Sequence, residues 1–127
     1  MYQKRGIMQI YKVKTISCAH QLTLPYDSPC NRLHGHNYKI EVWIDALKTN
    51  EHGMIADYSH ISKVIMAYDH RNLNDFMKQP TAENFAKLLL DALEGKAAHP
   101  KPSHIANIRV RVWETETSYC EAQKAIQ

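Results

Sequence analysis

The 127 residues suit one domain, and a formal charge of +3 with 23% charged and 44% hydrophobic residues is the mixture of an ordinary globular protein. The Lys and Arg residues are scattered rather than gathered into a stripe with interleaved aromatics, which argues against nucleic-acid binding. The longest apolar runs, such as Leu88 to Leu90, fall far short of a membrane span, and no apolar h-region follows the charged N-terminus. A single soluble, cytoplasmic domain over residues 1–127 is therefore expected. Cys18, Cys30 and Cys120 are an odd number without a paired framework, so any thiol chemistry belongs to a free cysteine.

The stretch from Ile7 to Ala19 is rich in Ile, Val, Thr and Tyr and reads as a first strand. A loop with Pro25, Asp27, Ser28 and Pro29 follows, whose turn chemistry suits a long hairpin connection. Tyr38, Ile40, Val42, Ile44 and Ala46 then alternate with Lys39, Glu41, Trp43 and Asp45, the period of a strand with one face in a core. These two strands should run antiparallel.

Asp57 or Ser59 can cap a helix with Ile61, Val64, Ile65 and Tyr68 on its apolar face. A second helix begins near Thr81, turns Phe85, Leu88, Leu89 and Ala92 inward, and is expected to stop at Gly95. After a loop with Pro100 and Pro102, Ile108, Val110 and Val112 alternate as a third strand, and Tyr119 to Ile126 return as a fourth. The order ββααββ predicts an α+β domain: a four-stranded antiparallel sheet with two helices on one face.

His34 and His36 flank Gly35 at the start of the second strand, so in extended backbone both imidazoles project to one side. His20 ends the first strand, and the hairpin brings it opposite. Three imidazoles can hold a zinc ion and leave a fourth position for water or substrate, the arrangement of a catalytic site. The plainer alternative is that a His-x-His pair is two polar strand residues. Cys30, four residues before His34, passes near that site, where a cation would favour its thiolate; an inert or metal-ligating cysteine is the alternative. In Asp69-His70, a carboxylate beside an imidazole can fix its tautomer for proton transfer. Glu114, at a strand end, either points into a cleft or lies on the surface. His52, His60, His99 and His104 have no partner pattern and suit surface or capping roles.

Taken in order, Ala19-His20, Cys30-x-x-x-His34-Gly-His36, Gly53-Met54-Ile55-Ala56-Asp57-Tyr58, Asp69-His70-x-x-Leu73-Asn74, Pro80-Thr81-Ala82-Glu83-Asn84 and Trp113-Glu114-Thr115 resemble the 6-pyruvoyl-tetrahydropterin synthase family over nearly the whole chain. The resemblance implies a tunnelling fold, zinc on His20, His34 and His36, and Cys30 as the proton-abstracting thiol. It implies Asp69 and His70 as a proton relay, from a neighbouring subunit, and Glu114 as the anchor of the pterin ring, with Thr81 and Glu83 near that pocket. It also implies a homo-oligomer, a hexamer with active sites at subunit interfaces, acting on a small pterin triphosphate.

Three residues between Cys30 and His34 resemble the bacterial queuosine-pathway branch, whose members are 6-carboxy-5,6,7,8-tetrahydropterin synthases. The alternatives are the pyruvoyl-forming activity, in which triphosphate alone is eliminated, and a non-catalytic zinc- or pterin-binding module.

Overall fold

The structure, a computed structural model, describes residues 6–96 and 105–126; the loop with Pro100 and Pro102, along with His99 and His104, lies outside them. Strand β1 (Met8–His20) pairs antiparallel with β2 (His34–Ala46) in unbroken register, from Met8 opposite Ala46 to His20 opposite His34. His20 ends β1 and His34 begins β2, as the sequence reading expects. Each histidine takes an alternating position on the same face as the apolar residues, so the ladder continues through them.

Helix α1 (Tyr58–Met66) starts at Asp57, whose carboxylate accepts the Ser59 N–H, satisfying one of the unpaired donors of its first turn. Strand β4 (Ile105–Thr115) pairs antiparallel with β2, and β5 (Ser118–Ala125) with β4. Helix α2 (Ala82–Lys96) runs through Gly95 instead of ending there. Gly95 has no positive φ, so the left-handed cap that the glycine suggested does not form.

Among the described residues the sheet has five strands, not four. Arg71–Asn72 form β3, parallel to β1 at Cys18 and Ala19, giving the order β3-β1-β2-β4-β5. A two-residue strand has no periodicity to read; the turn that follows α1 places it, because the His70 N–H reaches the Ser17 carbonyl at 2.7 Å.

Even-numbered residues of β1, β2 and β4 face the helices. Ile16, Tyr38, Ile40, Val42, Ile44, Ile108, Val110 and Val112 pack with Ile61, Ile65, Phe85, Leu89 and Leu93 in one core. Phe85 meets Tyr38 and Tyr68 edge-on, with ring centroids 5.5 Å away in each case. Its truncation to Ala would cost about 3 to 5 kcal/mol. The other face carries Tyr11, Trp43, Trp113 and Tyr119, with Arg109 and Arg111 stacked over Trp43. Among the described residues, no helix is long and apolar enough to cross a membrane.

Candidate metal centre and active site

At the end of the helix-facing side, the sequence stops supplying aliphatic residues and supplies imidazoles. His20 stands opposite His34, and Cys18 opposite His36, so the three histidines converge by register. One nitrogen from each lies within 4.8 Å of the others. Among the described residues this is the one group of three or more His, Cys, Asp or Glu donors gathered so closely.

The hydrogen bonds determine which nitrogens are free. His20 Nδ1 lies 2.7 Å from the Pro80 carbonyl and 3.1 Å from the Tyr38 hydroxyl. His34 Nδ1 lies 2.6 Å from the Arg32 carbonyl. A carbonyl can only accept, so both rings donate from Nδ1, and in the neutral form each leaves Nε2 as a bare lone pair. Those two Nε2 atoms face each other at 3.0 Å. Two lone pairs at that distance repel unless a proton or a cation lies between them.

His36 Nε2 is sealed from solvent without a hydrogen-bond partner; the Glu114 carboxylate stands 3.6 Å away, beyond bonding reach. Burial lowers the His36 pKa, with Glu114 opposing and the other two histidines reinforcing the shift, so the neutral, metal-binding form is favoured. Three imidazoles that turn Nε2 toward one another are the donor set zinc takes at about 2.0 to 2.1 Å, and the carbonyls behind His20 and His34 are the outer partners that fix such ligands. The residues fit the ion.

Cys30 lies in a short 3-10 turn, Pro29–Asn31, capped by Ser28. It is half-buried and free, and it is outside the donor cluster. Cys18 is buried beneath the site, its thiol 3.2 Å from the Tyr68 carbonyl and pushed up to about 11 by burial and by Asp69, which leaves it a protonated core residue.

Asp69 and His70 sit at the β1 edge. Asp69 accepts the Ser17 N–H at 2.9 Å and holds His70 Nδ1 at 3.1 Å; the Ser17 amide and His70 keep its carboxyl below the usual range. His70 adopts φ 60°, a left-handed conformation uncommon for a non-glycine residue. Its ring is largely exposed and lies outside the three-histidine donor group, but it lines, together with His36, Asn37 and Arg71, an open cleft of about 470 Å³. A second open cleft of about 470 Å³ beside the cluster is lined by Glu83, Glu114, Tyr119 and Cys120 among others. Thr81 instead acts at the start of α2, where its hydroxyl accepts the Asn84 N–H.

Sequence reasoning missed the groups that hold these residues: the carbonyls of Arg32 and Pro80, and the side chains of Asn31, Asn74 and Gln79. Backbone acceptors leave no mark on residue type. The Asn residues could have been flagged as turn formers.

The model of the 6-pyruvoyl tetrahydropterin synthase family matches residues 9–125. The chain belongs to that family. A Pyrococcus abyssi protein provisionally named 6-carboxy-5,6,7,8-tetrahydropterin synthase is 33% identical, the match covering 89% of this chain and 88% of the relative. A Bacillus subtilis protein of that name is 29% identical, over 88% and 82% of the two chains. In fold, the chain is similar to the Caenorhabditis elegans 6-pyruvoyl tetrahydropterin synthase, with a TM-score of 0.73 and 26% identity over 95% of this chain and 98% of the other. The tunnelling fold is thus that of the family, with β3 added to the expected four strands.

Proposed function

We propose that this member of the family is a zinc-dependent lyase. It converts 7,8-dihydroneopterin triphosphate and one water into 6-carboxy-5,6,7,8-tetrahydropterin, acetaldehyde and triphosphate, within queuosine (7-deazaguanine) biosynthesis. The observation that carries this reading is the convergence of three imidazole nitrogens beside Glu114 at the mouth of an open cleft. The carboxy product is favoured by the names of the Pyrococcus and Bacillus relatives and by the short spacing from Cys30 to His34.

Held by His20, His34 and His36, zinc would supply Lewis-acid polarisation of the substrate's side-chain oxygens. Glu114 binds the pterin: its two carboxylate oxygens accept parallel N–H bonds from the amino-pyrimidinone edge, with Glu83 lining the same cleft and Thr81 holding the helix start that carries Glu83. Cys30 takes a proton from the substrate side chain as thiolate. His70, with Nδ1 engaged by Asp69, exchanges the second proton at Nε2.

His70 is largely exposed in one chain, and β5, with the part of β1 that the two-residue β3 leaves unpaired, presents sheet edges to cover. Covering those edges suits a homo-oligomer that unites residues of neighbouring subunits at each site, and the family resemblance implies a hexamer.

Incubation with dihydroneopterin triphosphate tests the reading. Trapped acetaldehyde should match substrate consumed, mole for mole. Triphosphate release with a pyruvoyl pterin and no acetaldehyde would assign the chain to the eliminating activity instead.

A further inference from the structure

Residues 21–33 carry Cys30 away from the sheet, and among the described residues no strand runs beside their first half. Their backbone is nevertheless paired, by side chains. Asn74 accepts the Gln21 N–H through Oδ1 at 2.8 Å and donates from Nδ2 to the Gln21 carbonyl at 2.8 Å. Two residues on, Gln79 does the same for Thr23, at 2.8 and 2.9 Å. A primary amide offers an acceptor and a donor in one plane, the complement of a peptide group. Repetition at residues 21 and 23 has the two-residue period of a β ladder.

The opposite edge of the same segment holds the thiol turn. The Leu22 N–H donates to the Cys30 carbonyl at 2.8 Å. Gln21 Nε2 donates to the Asn31 carbonyl at 2.7 Å, and Asn31 Oδ1 accepts the Leu24 N–H at 2.8 Å. The 21–24 segment is therefore a middle strand in all but name, with the Cys30 turn on one side and two amides on the other.

Those amides share a segment with the metal site. The Gln79 carbonyl receives Asn84 Nδ2 at 2.8 Å, and the next carbonyl, that of Pro80, orients His20. One stretch of chain thus sets both the thiol loop and a zinc ligand.

We propose that Asn74 and Gln79 are positioning residues: a two-rung amide ladder that fixes the Cys30 loop in register against the segment orienting His20. The consequence for catalysis rests on Cys30 acting as assigned above; the ladder itself does not. A displacement of about 1 Å at a reacting group can cost on the order of 10²-fold in rate, so loosening this loop should reduce turnover more than binding.

The test compares the parent with Asn74→Ala, Gln79→Ala and Gln79→Glu, the last keeping the acceptor for Thr23 while losing the donor. Amide exchange over residues 21–31 should quicken at least ~10-fold in the Ala variants, with zinc content unchanged. Turnover should fall roughly 10- to 100-fold with KM within about threefold, and Gln79→Glu, which sets a carboxylate oxygen against the Thr23 carbonyl, should fall at least as far as Gln79→Ala. Parental exchange rates would show that the ladder does not hold the loop; faster exchange with parental turnover would reduce it to a structural tether. Either result overturns the proposal. Should an Ala variant fold poorly, Gln79→Glu alone decides by the same readouts. If the parent itself fails to consume the pterin substrate, the proposed function falls, and exchange together with the iodoacetamide alkylation rate of Cys30, expected to change several-fold, still decides the ladder.

Discussion

Glu41 and His36 lie five residues apart on the same strand, both with polar atoms shut away from water, and they are treated in opposite ways. Glu41 faces the uncovered side of the sheet and is 8% exposed. It receives the Tyr11 hydroxyl and the Trp113 indole N–H, each at 2.6 Å. Burial alone would raise its pKa; these two donors, with Lys39 and Arg111, outweigh that and lower it. His36 faces the helices, and its inward nitrogen has no partner. A buried polar group left without a partner costs about 1 to 3 kcal/mol. The satisfied residue is explained by stability; the orphaned one fits the proposed metal ion.

If that contrast is correct, changes around His36 should abolish chemistry and spare the fold, and changes around Glu41 should do the reverse. The largest effect is expected for Cys30→Ala: turnover lower by on the order of 10² or more, the scale for removing a positioned acid-base group, with zinc content and melting temperature near parental. Steady-state assays beside elemental analysis check this, and Cys18→Ala, which truncates a small buried residue, should leave turnover within about twofold.

Next comes Glu114→Gln. One carboxylate oxygen becomes a misplaced donor, so kcat/KM for the pterin substrate should fall by about 1.5 to 3 kcal/mol, the scale of a hydrogen bond to a charged group, while denaturant midpoints stay put.

Tyr11→Phe is the smallest and reverses the sign of the comparison: about 1 kcal/mol of stability lost for a partly exposed hydrogen bond to a carboxylate, with turnover unchanged. Its pH dependence follows from the hydroxyl's pKa, raised to about 12 from 10 chiefly by the bond to Glu41. A raised folded-state value stabilises fully below pH 10 and is lost as pH climbs toward 12, so the gap between Tyr11→Phe and the parent should close in that window. Glu41 acts at the other end. Its lowered value adds stability above the ordinary carboxylate range that disappears on acidification through it. Urea unfolding at several pH values measures both.

Much of this was legible in the sequence because a two-residue period does not distinguish histidine from isoleucine. The alternation that marks Ile40, Val42 and Ile44 as core also runs through Tyr38, His36 and His34, so the histidine cluster and the hydrophobic core follow from one ladder. The parts that were not legible have no period. Arg71 and Asn72 form a strand only because the His70 N–H docks on Ser17. Gly95 continues a helix that its residue type suggested it would end. Asn74 and Gln79 act through side-chain amides that resemble a backbone only once the chain is folded. Glu114 read equally well as a surface carboxylate until the register set it on the face of His36.

The central claim is that His20, His34 and His36 leave their inward nitrogens bare for one metal ion. Zinc titrated into metal-stripped protein, followed by calorimetry with elemental analysis of the dialysed product, addresses it directly. About one equivalent per chain should bind the parent, as a three-histidine site requires, and His34→Ala with His36→Ala should abolish that binding while secondary structure persists. Equal zinc content in the double variant and the parent would contradict the account.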